Sequence, residues 1–289
     1  MVESATPNNI YIIIILFNPT KTEIDNVKNI SSLFRGTIID NSSKCNFNTT
    51  ELNKMQYIAL KENIGIAAAH NIGIKQAIND TEARYIIFFD QDSDFPNTYP
   101  LAIANEYVTL RTSGLNIGAL GPTVVQKETG EVYKSAFHKE HVMTRSFIRK
   151  PEIIASGCCV DKSVYNHTGL NNEDFFIDFV DSEWCFRLQS HGYLCGTSSN
   201  IIINHKVGKK EMHIGSHIII VSAPFRYYYQ YRNLITMLPL SYVPFKWKFF
   251  KSAKFAMRFF YLPFCVDRGF DVWKYMIKGI YAGIKNLIK

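Results

Sequence analysis

The chain lacks any run of 18 uncharged apolar residues, so no transmembrane helix is expected in it. Its opening, MVESATPNNI, has none of the basic-then-apolar layout of a secretory signal. The six cysteines, Cys45, Cys158, Cys159, Cys185, Cys195 and Cys265, contain no CxxC pair and no even framework. That pattern predicts free thiols in a reducing cytosol and argues against a cysteine metal site. No repeat and no low-complexity tract occurs. With 47% apolar residues in 289, the composition predicts a folded body, with flexibility confined to residues 1–9. Acids are scarce at one end: residues 226–289 carry 12 Lys and Arg but only 2 Asp and Glu. The remainder carries 20 against 23, so the net charge of +7 conceals a nearly neutral body and a basic tail. Such a tail calls for a polyanionic partner, anionic lipid or nucleic acid.

What is present alternates in type. IYIIIILF (10–17) predicts a fully buried strand, and KTEIDNVKNISSLF a polar helix after it. GTIIDNSS (36–43) and MQYIAL (55–60) predict two more strands. ENIGIAAAHNIGIKQAIND (62–80) predicts a loop turning into a helix, and RYIIFFD (84–90) a fourth strand. This alternation implies βαβ crossovers and a mainly parallel sheet, with ligands beyond the carboxyl ends of the strands. Beyond a helix at about 100–112, NIGALGPTVV, EVYKSAF and EIIASGCCVD predict strands of a mixed region. A helix carrying Trp184 and Leu188 should end at Gly192, and NIIINH (200–205) should be the last strand.

Acidic residues collect at the predicted strand ends. Asp40 closes one strand, and Asp90, Asp92 and Asp94 follow another in FFDQDSDFP. In a strand extension residues i and i+2 point the same way, so Asp90 and Asp92 could face one ligand. Two hard oxygen donors suit Mg²⁺ or Mn²⁺, although a solvated turn also satisfies the pattern. Asp181 opens a predicted helix, where an N-cap and a general base held ionised by the helix dipole both fit. Asp178 could support that base or bind a substrate hydroxyl. Glu173 and Asp174 deepen the local negative charge. His205 ends a strand, either as a structural histidine or as a metal ligand. Arg226, Arg232 and Asn233 stand in RYYYQYRN, where an arginine fork suits a diphosphate and the tyrosines equally suit core packing.

Taken in order, DNSS, NIGIAAAHNIG, FFDQDS, ASGC, FFIDFVDSEWCFRL, NHKVG and RYYYQYRN resemble glycosyltransferase family 2, with its GT-A fold, over about residues 10 to 285. The DQDS form and FIDFVDSEWCFR tilt the likeness toward bacterial rhamnosyltransferases. The resemblance implies an α/β fold with a Rossmann-like, mainly parallel mixed sheet. The catalytic domain would span 10–225 and a helical tail 226–289. Asp40, Asn63, Gly65 and Asp90 would then hold the nucleotide, Asp92 and His205 the metal, and Arg232 the diphosphate. Ser156, Gly157 and Asp178 would line the sugar and acceptor pocket. Asp181 would be the base, acting alone because Val180 replaces the family's preceding acid. The implied reaction is metal-dependent, inverting transfer of L-rhamnose from dTDP-L-rhamnose to a lipid-linked glycan of cell-surface polysaccharide, such as lipopolysaccharide O-antigen. Other readings are another hexose from a UDP or dTDP donor, a sugar-nucleotide-binding protein, or a nucleotidyltransferase. The last would want a glycine-rich loop after the first strand, and FNPTKTEID has no glycine.

The tail repeats one design. PFKWKFFKSAKFAMRFFYLPF (244–264) sets Lys251, Lys254 and Arg258 on one helical face and Phe249, Phe250, Ala253, Met257 and Phe260 on the other. DVWKYMIKGIYAGIKNLIK (271–289) does the same with Trp273, Ile277, Ile280, Ile284 and Leu287 against Lys274, Lys278 and Lys285. Amphipathic helices of this kind suit an anionic membrane surface, here the cytoplasmic face of a bacterial inner membrane, or pack on the body with lysines in water. No nucleic-acid motif accompanies the charge, so nucleic acid is not the expected partner.

Overall fold

The computed structural model describes residues 4–45, 47, 52–93, 95–126, 141–205, 210–214 and 217–288, with backbone alone at 126, 141, 204–205, 210–214 and 217–220. In chain order these residues form β1 (Ile10–Leu16), α1 (Lys21–Leu33), β2 (Arg35–Asp40), β3 (Met55–Ala59), α2 (Ile66–Asn79), β4 (Tyr85–Asp90), α3 (Tyr99–Thr112) and β5 (Ile117–Gln126). There follow β6 (His141–Val142), β7 (Phe147–Arg149), β8 (Cys159–Asp161), α4 (Tyr165–Thr168), α5 (Val180–Ser190) and β9 (Leu194–His205). The chain ends with β10 (Lys210–Ile214), β11 (His217–Val221), α6 (Pro224–Met237), α7 (Phe245–Cys265) and α8 (Gly269–Ile288).

Nine strands make one sheet in the order β3-β2-β1-β4-β8-β5-β9-β7-β6. The first four are parallel, as the alternation of strands and helices requires, whereas β8 runs antiparallel to both β4 and β5. Strand alternation divides the core. Ile10, Ile12, Ile14 and Leu16 of β1, with Tyr85, Ile87 and Phe89 of β4, pack toward Ile103 and Tyr107 of α3. Tyr11, Ile13 and Ile15, with Ile86 and Phe88, pack on the other face against α2 and against Trp184 and Leu188 of α5. Each isoleucine so buried contributes about 1.5–3 kcal/mol of transfer free energy. That explains why β1 is an unbroken aliphatic run.

Three expectations change. EIIASGCCVD is a strand only at Cys159–Asp161, joined by an isolated bridge from Ser156 to Phe88. Its first half leaves the sheet because Gly157 takes φ +76°, a bend that ends strand pairing. NIIINH is the end of a 12-residue strand, and the β10–β11 hairpin follows it. The predicted strand EVYKSAF, and Asp94, lie outside the described residues. Ordered contacts also begin before Ile10: Asn9 bonds Thr6 N–H and the Ser4 carbonyl, and Ala5 is buried.

The basic tail shares a core with the body. Tyr227, Tyr231, Trp247, Phe255, Leu262, Val272 and Met276 pack with Phe175, Val180 and Phe186, and α6 begins before the charge boundary at residue 226. The faces of α7 are reversed from simple burial of the apolar side. Lys251 lies over the rings of Phe179 and Trp247, facing the body, and Arg258 over Tyr227 of α6 and Phe255, facing the tail's own first helix. Phe249, Phe250, Met257 and Phe260 face outward, with Phe245, Phe260 and Phe264 exposed by 79%, 72% and 81%. On α8 the buried stripe is Gly269, Val272, Met276, Gly279 and Gly283. A Cβ on Gly279 would lie 2.3 Å from the Tyr228 carbonyl oxygen, so backbone approach selects the glycines and leaves Ile277, Ile284 and Leu287 exposed. Among the described residues no helix is long and apolar enough to cross a membrane.

Candidate active site

The parallel register brings two acids to one edge. Asp40 pairs with Leu16 and Asp90 with Ile15, so both stand at the carboxyl end of β1, where strand order runs both ways. Their side chains diverge. Asp40 is fully buried, accepting from Ser42 N–H (3.0 Å) and the Tyr57 hydroxyl (2.6 Å), so it shapes the β2 loop instead of offering an open carboxylate. Asp90 is exposed and shares its strand face with Ile86 and Phe88, the face covered by α2 and α5.

Asp90 and Asp92 are not presented by a strand extension. Ser93 N–H donates to the Asp90 carbonyl (3.0 Å) and Ser93 Oγ accepts from Asp90 N–H (2.9 Å), closing a turn with Gln91 and Asp92 at its corner. Gln91 pins the turn by accepting from Phe17 N–H (2.6 Å) and donating to Glu23 (3.2 Å). Ser156 Oγ lies 3.0 Å from Ser93 Oγ, against the same turn. Gly157 is buried behind it, its carbonyl accepting from the Tyr99 hydroxyl (2.5 Å).

Asp181 sits in the first turn of α5 and accepts from Ala155 N–H at 3.3 Å. Burial pushes its carboxyl up to about 7; the Ala155 bond opposes this, and the charges of Asp90 and Glu152 add to it. The helix dipole therefore does not decide its ionisation, contrary to the sequence expectation, because desolvation outweighs it. Asp90 is thus within electrostatic reach of Asp181. Beside Asp181 a small pocket of about 30 Å³ is lined by His70, Phe88, Ala155, Tyr165, Asn171 and Trp184, among others.

The segment before α5 is strained. Phe176, Asp178 and Phe179 have φ of 60°, 65° and 62°. Ile177 N–H donates to the Phe175 carbonyl at 2.6 Å, closing a γ-turn of the rare positive-φ kind. Such residues cost about 1–3 kcal/mol each and persist only when surroundings hold them. Helix α6 does so. Asn233, fully buried, donates to the carbonyls of Phe175 (2.8 Å), Ile177 (2.9 Å) and Asp178 (2.9 Å). Arg226 forks onto the Asp178 carboxylate at 2.6 and 3.1 Å. Arg232 donates to the carbonyls of Asp174 and Phe175 and lies over Tyr228 and Tyr229. Asp178 and Arg232 are thus engaged in holding this segment, not turned toward a ligand. The acid-rich stretch is also neutralised at Glu183, which takes Arg187 at 2.8 Å and the Tyr242 hydroxyl at 2.5 Å.

The Asn63–Gly65 loop meets the same segment. Asn63 Oδ1 accepts from Asn41 and from Gly65 N–H, both at 3.0 Å. Gly65 has φ +88°, and a Cβ there would lie 2.5 Å from the Phe176 ring. The Phe176 carbonyl receives Ile66 N–H at 2.7 Å. His205 ends β9, opposite Gln126, with its side chain outside the described residues. Among the described residues no three His, Cys, Asp or Glu form a metal cluster. His70 and Asn233 were not singled out as site residues from sequence; the one sign was Asn233's place beside Arg232.

An open α/β sheet with two acids at the strand ends of its switch point has structural neighbours. GalNAc-T7 with UDP, GalNAc and Mn²⁺ matches with a TM-score of 0.58 at 12% identity, over 97% of this chain and 56% of that one. S. aureus TarS in complex with UDP-GlcNAc matches at 0.54 and 13% identity, over 94% and 81%. The chain spans about half the length of GalNAc-T7. The fold is thus of the GT-A architecture. No protein-family model matches the chain. It is 30% identical to dTDP-rhamnosyl transferase RfbF of Shigella flexneri over 258 residues, 82% of each protein. It is also 23% identical to the hexosyltransferase Agl10 of Haloferax volcanii over 58% of each. The chain belongs to glycosyltransferase family 2, alongside the Shigella enzyme.

Two outcomes follow for stability. The Asp181 carboxyl binds its proton more tightly folded than unfolded, so its ionisation opposes folding. That cost grows as pH rises from about 4 to about 7 and is complete above 7. Asp181→Asn should therefore raise the unfolding temperature above pH 7 and leave it unchanged near pH 4, as measured by calorimetry at both pH values. Asn233→Ala strands buried carbonyls and should cost on the order of 1–3 kcal/mol in denaturant titration.

Proposed function

We propose that the protein transfers L-rhamnose from dTDP-L-rhamnose, with inversion, to a hydroxyl of a lipid-linked glycan in the assembly of a cell-surface polysaccharide. The observation that carries this reading is Asp181, a buried carboxyl in the first turn of α5 that lines a small pocket within electrostatic reach of Asp90. The Shigella relative supports the choice of donor. In the reaction the acceptor oxygen attacks the anomeric carbon while its proton passes to the Asp181 carboxylate. The bond from that carbon to the diphosphate breaks and its electron pair leaves with the phosphate oxygen. One in-line displacement on a β-linked donor yields an α-L-rhamnoside. Such a base contributes about 10²–10⁴ in rate.

Asn63, Gly65 and Asp90 would border the nucleotide. Asp92, with His205 at the end of β9, would hold Mg²⁺ or Mn²⁺. The exposed Asp90–Ser93 turn fits such an ion, which takes one or two carboxylates and fills its shell with water and substrate phosphates. When bound, the ion supplies positive charge to the departing diphosphate. The outward phenylalanines of α7 and the exposed Lys246, Lys274 and Lys278 would rest on the anionic cytoplasmic face of the inner membrane, where a lipid-linked acceptor resides.

Incubation with a panel of sugar nucleotides and Mg²⁺ or Mn²⁺ tests the reaction. Nucleoside diphosphate release should be greatest with dTDP-L-rhamnose, fall at least a hundredfold in Asp181→Asn, and lose its metal response in Asp92→Ala. A preferred UDP-hexose, or an undiminished metal response, would refute the assignment. For the membrane, replacing Phe249, Met257 and Phe260 together by serine should release the protein from phosphatidylglycerol vesicles in co-sedimentation. These side chains are exposed, so the fold should survive. Unaltered binding by the triple variant would sink the idea.

A further inference from the structure

The pocket beside Asp181 contains a polar atom that the mechanism above does not use. His70, on α2, is only 3% exposed, and its Nε2 has no hydrogen-bond partner among the described residues. Its ring meets Phe88 edge-on at 5.1 Å, which orients the imidazole. Burial lowers its pKa to about 4, so the ring is neutral at physiological pH and one of its nitrogens carries a proton. A buried donor or acceptor left unpaired costs roughly 1–3 kcal/mol, and such atoms are ordinarily satisfied by water when protein supplies no partner.

The pocket has room for that partner and little else. Its volume of about 30 Å³ exceeds the roughly 10–15 Å³ that one water requires and is far less than a sugar ring needs. His70, Tyr165, Asn171 and Asp181 are the residues of its lining that carry hydrogen-bonding side chains toward the two to four partners a buried water takes, with Trp184 already bonded to the Gly169 carbonyl. Its other walls, including Phe88, Ile153, Val160 and Trp184, are apolar and confine the molecule to the polar corner.

We infer that this pocket is a water site in which His70, with Asn171, holds a water against the Asp181 carboxylate. His70 is then a positioning residue for the base: through the water it solvates the carboxylate that would otherwise be still harder to ionise. The other groups facing Asp181 do not supply this. Asp90 and Glu152 repel its charge, and Ala155 N–H supplies a single bond. Tyr165 and Cys158 are held neutral by burial, and Cys185 by its bond from Cys195 together with burial. Glu183 is closed off by Arg187. The inference deepens the reading of Asp181 as a base, yet its principal measurement needs no transfer activity.

The test follows the Asp181 carboxyl by carbon-13 NMR in the free protein, assigned with Asp181→Asn. His70→Phe fills the pocket with a ring of similar size, excludes the water and should raise the titration midpoint by about one unit. His70→Gln keeps a polar group and should restore the midpoint. The acid limb of nucleoside diphosphate release should move by the same amount, with kcat lowered and the donor KM unchanged. Asn171→Leu, which leaves His70 in place, should raise the midpoint in the same direction and serves if His70→Phe does not fold. A folded His70→Phe with an unmoved midpoint overturns the site, as does an unmoved midpoint in Asn171→Leu should His70→Phe not fold. Absence of transfer from every donor would refute the proposed reaction and leave the titration result standing.

Discussion

The buried amide of Asn233 donates to three carbonyls between Phe175 and Asp178, where the chain makes a tight turn of positive φ. Without such a clamp a chain carrying two phenylalanines in this stretch would relax to an ordinary extended path. The turn aims α5 at the sheet edge and lends its Phe176 carbonyl to the start of α2. Phe176 also stacks on Tyr229 of α6 at 4.7 Å. One strained hexapeptide therefore joins the Asn63–Gly65 loop, the carboxylate of Asp181 and the first helix of the tail.

Around that hub the charges are sorted by partner. Asp178 is matched by Arg226, and Glu183 by Arg187 with Tyr242. Among the described residues Asp181 receives one amide hydrogen, and two like charges act on it. Burial therefore makes its ionisation a cost to folding, and a raised carboxyl pKa of this kind is what the proposed role as general base calls for.

Much of the fold was legible beforehand. Unbroken apolar runs at 10–17 and 85–89 read as strands covered on both faces, and their alternation with helices implied a parallel sheet. Asp181 in a first helical turn and Gly192 past the last one were equally readable. The role of RYYYQYRN was not. Its arginines looked suited to phosphate, and the structure turns them onto Asp178 and onto backbone carbonyls of the strained segment. Nothing local distinguishes an arginine that binds a ligand from one that binds its own chain. The tail misled in another way: its periodicity divided apolar from basic correctly, but which side meets the body depends on Glu152 and Phe179, far away in sequence.

By itself the sequence determined where strands and helices lie and which end of the sheet carries acids, because periodicity and strand termini are local properties of the chain. Only the tertiary structure decided that Asp90 stays exposed while Asp40 turns inward, and that burial lifts the Asp181 carboxyl toward neutrality. Strand register, desolvation and the partner of each charge arise from residues tens of positions apart, and no local pattern contains them.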